Sequence, residues 1–284
     1  MIKRLFAAGW LLVAGSAFAQ APNPYAPVAP IPVGDILLTL PSSHIPDKGT
    51  WEVRFSHRFN QSIDQGQAFR SLFGLDNGAN VGIGLSYVPF RDFEVSLLRS
   101  NVLDTYDLAA KYVITQQARR IPFSSAIRIG GDFRTEQQLD DRVSAYAQAI
   151  VSHQFGSRFD LYIMPTYITK AGRASSGETS AALFKNAFNV PAGAVLEIGS
   201  GYGIVAEVIP PNRDLPQDLK AELGWAVGIK HAIGGHLFEI LLTNSNGMTT
   251  DQYVTSTYNG APFRSGDLRL GFNIERRWGK PIKR

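Results

Sequence analysis

The chain contains no cysteine. Disulfides, thiolate metal sites and a cysteine nucleophile are therefore excluded. Beyond its N-terminal leader it also lacks any run of about 18 consecutive apolar residues, the length a membrane-spanning helix needs. If such a chain enters a membrane, it must do so as a closed β-barrel, where strands satisfy one another's backbone groups without water. A basic run and an aromatic-basic motif are missing as well, although the sequence pI is about 9.3. Nucleic acid is not an expected partner.

What is present begins with Lys3 and Arg4, followed by the short apolar run 5–15 and by Ala17-Phe18-Ala19, a small-x-small cleavage pattern. Residues 1–19 read as a secretory signal peptide, too short in its apolar part to anchor the chain. Losing Lys3 and Arg4 takes the formal charge from +4 to about +2, close to balance. Residues 20–49 read as a proline-rich periplasmic linker and lead-in. Within them Ala21–Pro32, APNPYAPVAPIP, is expected to be extended and polyproline-like. It is either a plain disordered tail or a docking segment for a periplasmic protein. Gly34–Gly49, interrupted by Pro41 and Pro46, reads as a loop before the first strand.

From Thr50 the pattern changes. In TWEVRFSHRFN, Trp51, Val53, Phe55, His57 and Phe59 fall on one parity, and Glu52, Arg54, Ser56, Arg58 and Asn60 on the other. A side-chain period of two marks a β-strand with an apolar face and a charged face. Similar segments recur at 80–88, 93–100, 105–115, 123–134, 143–155, 159–168, 187–198, 202–210, 219–231, 236–243 and 267–278. That makes about twelve strands, an even number as bacterial single-chain barrels have. The connections alternate between long (61–79, 170–186, 244–266) and tight (89–92, 156–158, 199–201, 232–235). Long loops on one end and short turns on the other are the outer-membrane pattern, which would leave both termini in the periplasm.

The charges share a phase. Glu94, Asp107, Lys111, Arg128, Asp132, Asp160, Glu197, Glu207, Lys220, Glu222, Lys230, Glu239, Arg269 and Glu275 sit on one parity of their strands, as Glu52, Arg54 and Arg58 do in the first. The opposite parity holds almost no charge in strand interiors. Trp51, Phe59, Tyr87, Phe93, Tyr112, Phe155, Phe159, Tyr167 and Trp278 lie near strand ends, as interfacial girdles do. The fold class that follows is all-β: one antiparallel transmembrane barrel over residues 50–278, with a short basic tail at 279–284. The charged parity would then line its lumen.

Three stretches carry a family resemblance: LFGLDNGAN at 72–80, GHLF at 235–238 leading into TNSNGMT at 243–249, and GDLRLGFNI at 266–274. Ser56-His57-Arg58-Phe59 fits as well. Together they resemble the bacterial β-barrel family known as domain of unknown function 5777, over roughly residues 49–278. The resemblance implies an outer-membrane barrel and brings no activity, ligand or catalytic residue. Many such barrels end on an aromatic residue, whereas here Gly279–Arg284 follows Trp278. The 272–278 strand is then the carrier of the assembly signal.

Candidate chemistry is sparse. His57 lies on the lipid-facing parity, but Val81 and Leu268, the neighbours expected at its height, supply no serine for a lipid-cleaving pair. It reads as a residue at headgroup level. Asp76, Asn77, Asn80 and Asp251 could offer oxygen ligands, yet their spacing is not a calcium-loop pattern and turn formation explains them. No catalytic residue, metal or cofactor is expected. The lumen charges, mixed in sign, suit either a passive narrow channel for small solutes or a structural, partner-binding barrel stabilised by cross-strand pairs. A lipid-active enzyme is the weakest of the three readings. The expected partners are outer-membrane lipid and the barrel-assembly machinery, with a periplasmic protein if Ala21–Pro32 docks one.

Overall fold

A computed structural model of the protein describes residues 34–63, 72, 75, 78–135, 142–172, 184–212, 223–255 and 268–279. The leader, Ala21–Pro32, Asp76, Asn77 and the tail from 280 onward lie outside the described residues. The strands are β1 (Trp51–Phe59), β2 (Ala79–Phe90), β3 (Phe93–Ser100), β4 (Thr105–Thr115), β5 (Ser124–Arg134), β6 (Val143–Phe155) and β7 (Phe159–Ile163). They continue as β8 (Thr166–Ala171), β9 (Phe184–Asn189), β10 (Ala192–Gly199), β11 (Tyr202–Ile209), β12 (Gly224–Ile233), β13 (His236–Thr243) and β14 (Arg269–Trp278). One short helix, α1 (Thr250–Thr255), lies between the last two strands.

Strands adjacent in the chain pair antiparallel except β7 with β8 and β9 with β10, and β1 closes the ring on β14, from Trp51 opposite Trp278 to Arg58 opposite Gly271. The fourteen segments make twelve staves. β6 pairs with β7 through Val151–Phe155 and with β8 through Tyr146–Gln148. β7 pairs in turn with β10, and β8 with β9. The two breaks lie side by side, at Pro165 and Pro191. Proline has no N–H for the ladder, so each ends one strand segment and lets the next begin at a new angle. The sequence pattern over 159–168 and 187–198 suggests two unbroken strands; both are interrupted, but the count of twelve stands because the interruptions are aligned.

Residues alternate between buried and exposed along nearly every strand. The outward parity carries Ile83, Leu108, Ile129, Ile163, Ile229 and Ile240, each more than half exposed. In water such a continuous apolar belt would be untenable; against lipid it is the stabilising face. Aromatic rings mark the end of the short turns: Trp51 stacks on Tyr87 at 4.1 Å, and Tyr202 on His231 at 3.9 Å.

The inward parity does not enclose an empty bore. Residues 34–49, expected as a periplasmic lead-in outside the barrel, instead begin inside it. Ile36, Leu37, Leu38 and Leu40 are at most 6 % exposed. The physical reason is the apolar run itself, which has an apolar inner wall to pack against: Val195, Val205, Ile209, Ala226 and Leu241 belong to the same buried cluster as the three leucines.

Candidate functional site: the filled interior

Two segments fill the lumen. The first, Asp35–Ser43, enters from the short-turn end, where Thr50 leads into β1. Its centre is a tight turn in which Leu37 N donates to Leu40 O at 2.7 Å. That turn points three successive N–H groups at one acceptor: Glu207 Oε1 takes bonds from Leu38, Thr39 and Leu40 at 2.8, 3.0 and 3.0 Å. The turn's carbonyls are met by wall cations and an amide. Lys230 Nζ donates to Ile36 O at 2.7 Å, Arg58 Nη2 to Leu38 O at 3.0 Å and Asn273 Nδ2 to the same oxygen at 2.8 Å. Buried backbone groups must find partners, and here inward-pointing side chains supply them in place of a strand ladder.

Close approach needs wall positions without side chains. A Cβ on Gly193 would lie 2.3 Å from Leu37, and one on Gly228 would lie 2.9 Å from Leu38 and 2.6 Å from the carbonyl of Ile240. The plug's own side-chain anchor is Asp35, which pairs with Lys111 and lies 3.7 Å from Arg54. Burial opposes charge on its carboxyl, but Lys111 and then Arg54 outweigh burial and hold it well below the usual carboxylate range. Farther along, Ser43 bonds Ser152 at 2.8 Å and His44 lies 3.6 Å from Asp160.

The second segment is the loop carrying α1, which enters from the long-loop end. Thr249-Thr250-Asp251-Gln252 makes the glutamine half of a capping box: Gln252 Oε1 accepts from Met248 N at 3.1 Å and Thr249 N at 3.4 Å. Wall carboxylates take further N–H groups of the first turn. Asp107 Oδ2 accepts from Thr250 N at 3.0 Å and from its hydroxyl at 2.9 Å, and Asp132 Oδ2 accepts from Asp251 N at 3.0 Å. Asp251 pairs with Arg134 and accepts from Gly172 N at 2.8 Å. All six helix residues are buried.

The charged positions singled out by parity divide between these two segments and the wall. Arg54, Arg58, Lys111, Glu207 and Lys230 meet the plug; Asp107, Arg128 and Asp132 meet α1. Arg128 donates to Thr250 Oγ1 at 2.7 Å, pairs with Asp107 at 3.1 Å and covers the Tyr146 ring at 4.8 Å. Glu94 lies 3.4 Å from Lys111, Glu239 lies 2.7 Å from Lys230, and Glu52 pairs with Arg277. Asp160 accepts from Tyr162 at 2.7 Å, and Glu275 is buried beside Gly34. Glu197 and Arg269 are only half-buried, the latter donating to Asn60 O at 3.2 Å. Lys220 and Glu222 lie outside the described residues. The shared charge phase did not include Asp35, Asn273 or Asp251, although Asn273 falls on the polar parity of its strand. Asp35 and Asp251 lie in segments read as loops, and Asn273 is uncharged.

Between plug and helix, a cavity of about 30 Å³ is lined by Asp35, Arg54, Ser86, Ser96, Arg128 and Tyr253. Another of about 10 Å³ lies against Arg58 and Met248. Roughly 10–15 Å³ of such space holds one water, so these would take a few waters and no solute.

His57 sits outside this interior. It is opposite Val81 and Phe272, stacks on Phe272 at 5.0 Å and meets Phe59 edge-on at 4.5 Å. The expected neighbour Leu268 is replaced by Phe272, because the β14 register places that residue across from it. Asn80, considered as an oxygen ligand, donates from β2 to Asn246 O at 3.3 Å, and Asp251 is engaged by Arg134.

A closed, lipid-faced, twelve-stave barrel with short turns at one end is an outer-membrane barrel. The chain belongs to the family described as membrane bound beta barrel domain (DUF5777), whose model matches residues 34–278 and so includes the plug. No curated protein matches the sequence. Among solved structures, the fold resembles an outer-membrane channel from Pseudomonas putida F1, with a TM-score of 0.51 and 12% identity over 83% of this chain and 97% of that one. The NanC porin aligns at a TM-score of 0.49 and 10% identity, covering 81% of this chain and all of its own. Outer membrane phospholipase A from Escherichia coli aligns at 0.43 and 9%, over 84% and 94%. At these identities the likeness concerns the fold.

Proposed function

We propose that the protein is a passive channel for small solutes, closed in the conformation described here and opened when the N-terminal plug withdraws toward the short-turn end. The observation that carries this reading is how the plug is held. It runs into a stave at its Thr50 end, and its polar contacts are made by inward-facing side chains of staves that pair with one another without it. Withdrawal would therefore leave the barrel closed on itself, with a lumen of mixed charge. That mixture favours weak selectivity between cations and anions.

A second reading, a structural or partner-binding barrel that never conducts, is favoured by the three leucines. Leu37, Leu38 and Leu40 are wholly buried. Each such burial is worth about 1.5–3 kcal/mol, so spontaneous withdrawal would be rare. Planar-bilayer recording separates the two. The intact chain should be mostly closed, and Leu38→Asp, which puts a charge into an apolar wall, should conduct. Silence from both proteins at every voltage removes the channel and leaves the structural barrel.

The lipid-active reading has no support from the surroundings of His57, whose cross-strand partners are Val81 and Phe272. Lipid turnover by purified protein should be the same after His57→Ala; a loss would revive that reading.

A further inference from the structure

We infer that Arg54 and Lys111 form a carboxylate-binding seat, filled by the chain's own Asp35 in the closed barrel and by a carboxylate of a small solute when the plug is out. The second half rests on the channel reading; the first rests on the geometry alone. Arg58 and Lys230 meet the plug through the carbonyls of Leu38 and Ile36, Arg58 also reaching Thr39 Oγ1 at 3.4 Å, whereas Arg54 and Lys111 meet it through a carboxylate. Arg54 stands on β1 and Lys111 on β4. Between them β2 and β3 present Gly84, Ser86 and Ser96, small residues that leave a hollow. Nothing in the backbone demands the glycine: a Cβ on Gly84 would meet its neighbours at 3.5 Å, an ordinary contact. The hollow continues past the Asp35 carboxylate as the cavity of about 30 Å³, so the seat has room beyond one carboxylate.

Glu94 shares Lys111 at 3.4 Å and faces the same carboxylate, hydrogen-bonding to it. Withdrawing Asp35 removes the carboxylate that faces both cations. Uncompensated buried charge is strongly unfavourable. A carboxylate arriving from solution restores the balance one for one, and the seat would then be a recognition point on the solute path. The closed state is in this sense self-inhibited by a mimic of what the barrel takes.

The test uses the full chain. Asp35→Ala vacates the seat, and thermal unfolding is read by the shift in gel mobility between folded and unfolded barrel. Acetate is compared with chloride at equal ionic strength, and with acetamide as the neutral isostere. Acetate should raise the unfolding temperature of Asp35→Ala by a few degrees, leave the wild type unchanged and lose its effect when Arg54→Gln is added; acetamide should do nothing. An equal response to acetate and acetamide, or none to either, overturns the seat. If Asp35→Ala assembles poorly, the folded fraction recovered on refolding is read instead: acetate must raise it and acetamide must not. In bilayers, acetate in place of chloride should increase the open fraction of the wild type by competing with Asp35; an unchanged open fraction in a conducting channel overturns the solute half. Silence of both wild type and Leu38→Asp overturns the channel reading, while the unfolding experiment still decides the seat.

Discussion

The two segments that fill the barrel do the same steric job by different means. The plug is irregular, bound mostly through its backbone, packed on leucine and continuous with β1. The α1 loop is a capped helical turn, bound through wall carboxylates and the Arg134–Asp251 pair, and tethered at both ends by β13 and β14. The α1 loop cannot leave without remodelling its connections to two strands, whereas the described plug residues run into one strand, β1. On the channel reading proposed above, that contrast makes the plug the moving part and α1 the fixed constriction.

Four changes would sharpen or break that contrast. The largest effect is expected from Leu38→Asp. An ionised carboxylate cannot stay unpaired beside Gly228 and Leu241 in the apolar cluster, so the plug should be expelled and single-channel conductance should become the dominant state. Next is Asp251→Ala. Removing one partner of a buried pair costs about 3–5 kcal/mol, so the unfolding temperature should fall markedly, while bilayer current stays at the wild-type level because the plug remains. A current as large as that of Leu38→Asp would make α1 the gate instead.

Glu207→Ala comes third. It strands the N–H groups of Leu38, Thr39 and Leu40, at about 1–3 kcal/mol for each buried group left unsatisfied. A net loss of about 3 kcal/mol would raise the open fraction roughly a hundredfold at unchanged barrel stability. The smallest effect concerns pH. Asp35 has a depressed carboxyl pKa when docked, so its contribution to closure is fully present above the ordinary value of 3.8 and declines as pH falls below it. The open fraction should be flat from pH 8 to about 5 and rise only in stronger acid. A rise already near neutrality would point to another titrating group.

How much of this was legible in the sequence can be argued from particular residues. His236–Thr243 and Val143–Phe155 are strands over the ranges that alternation marked, because a period of two is a local property that each stave shows by itself. The breaks at Pro165 and Pro191 carried a signal in proline, but not the fact that they would lie side by side. The plug had a signal too: Ile36-Leu37-Leu38-Thr39-Leu40 is apolar where a periplasmic lead-in should be polar, and Gly193 and Gly228 are side-chain gaps on the inward parity. The TTDQ capping box at 249–252 marked a helix start inside a long loop.

By itself the sequence determined the strands, their two faces and the lipid-facing belt, since these follow from nearest-neighbour alternation and from the need to satisfy every backbone group in a membrane. That the lumen is filled follows from contacts between segments distant in the chain. Glu207 lies far along the chain from Leu38, Arg134 far from Asp251, and no local pattern can announce that a carboxylate on one stave will receive the backbone of another segment. Thr50–Phe59 could thus be read as a wall from its own residues, while Asp35, only fifteen positions earlier, acquires its meaning from Arg54 and Lys111 once the ring has closed around it.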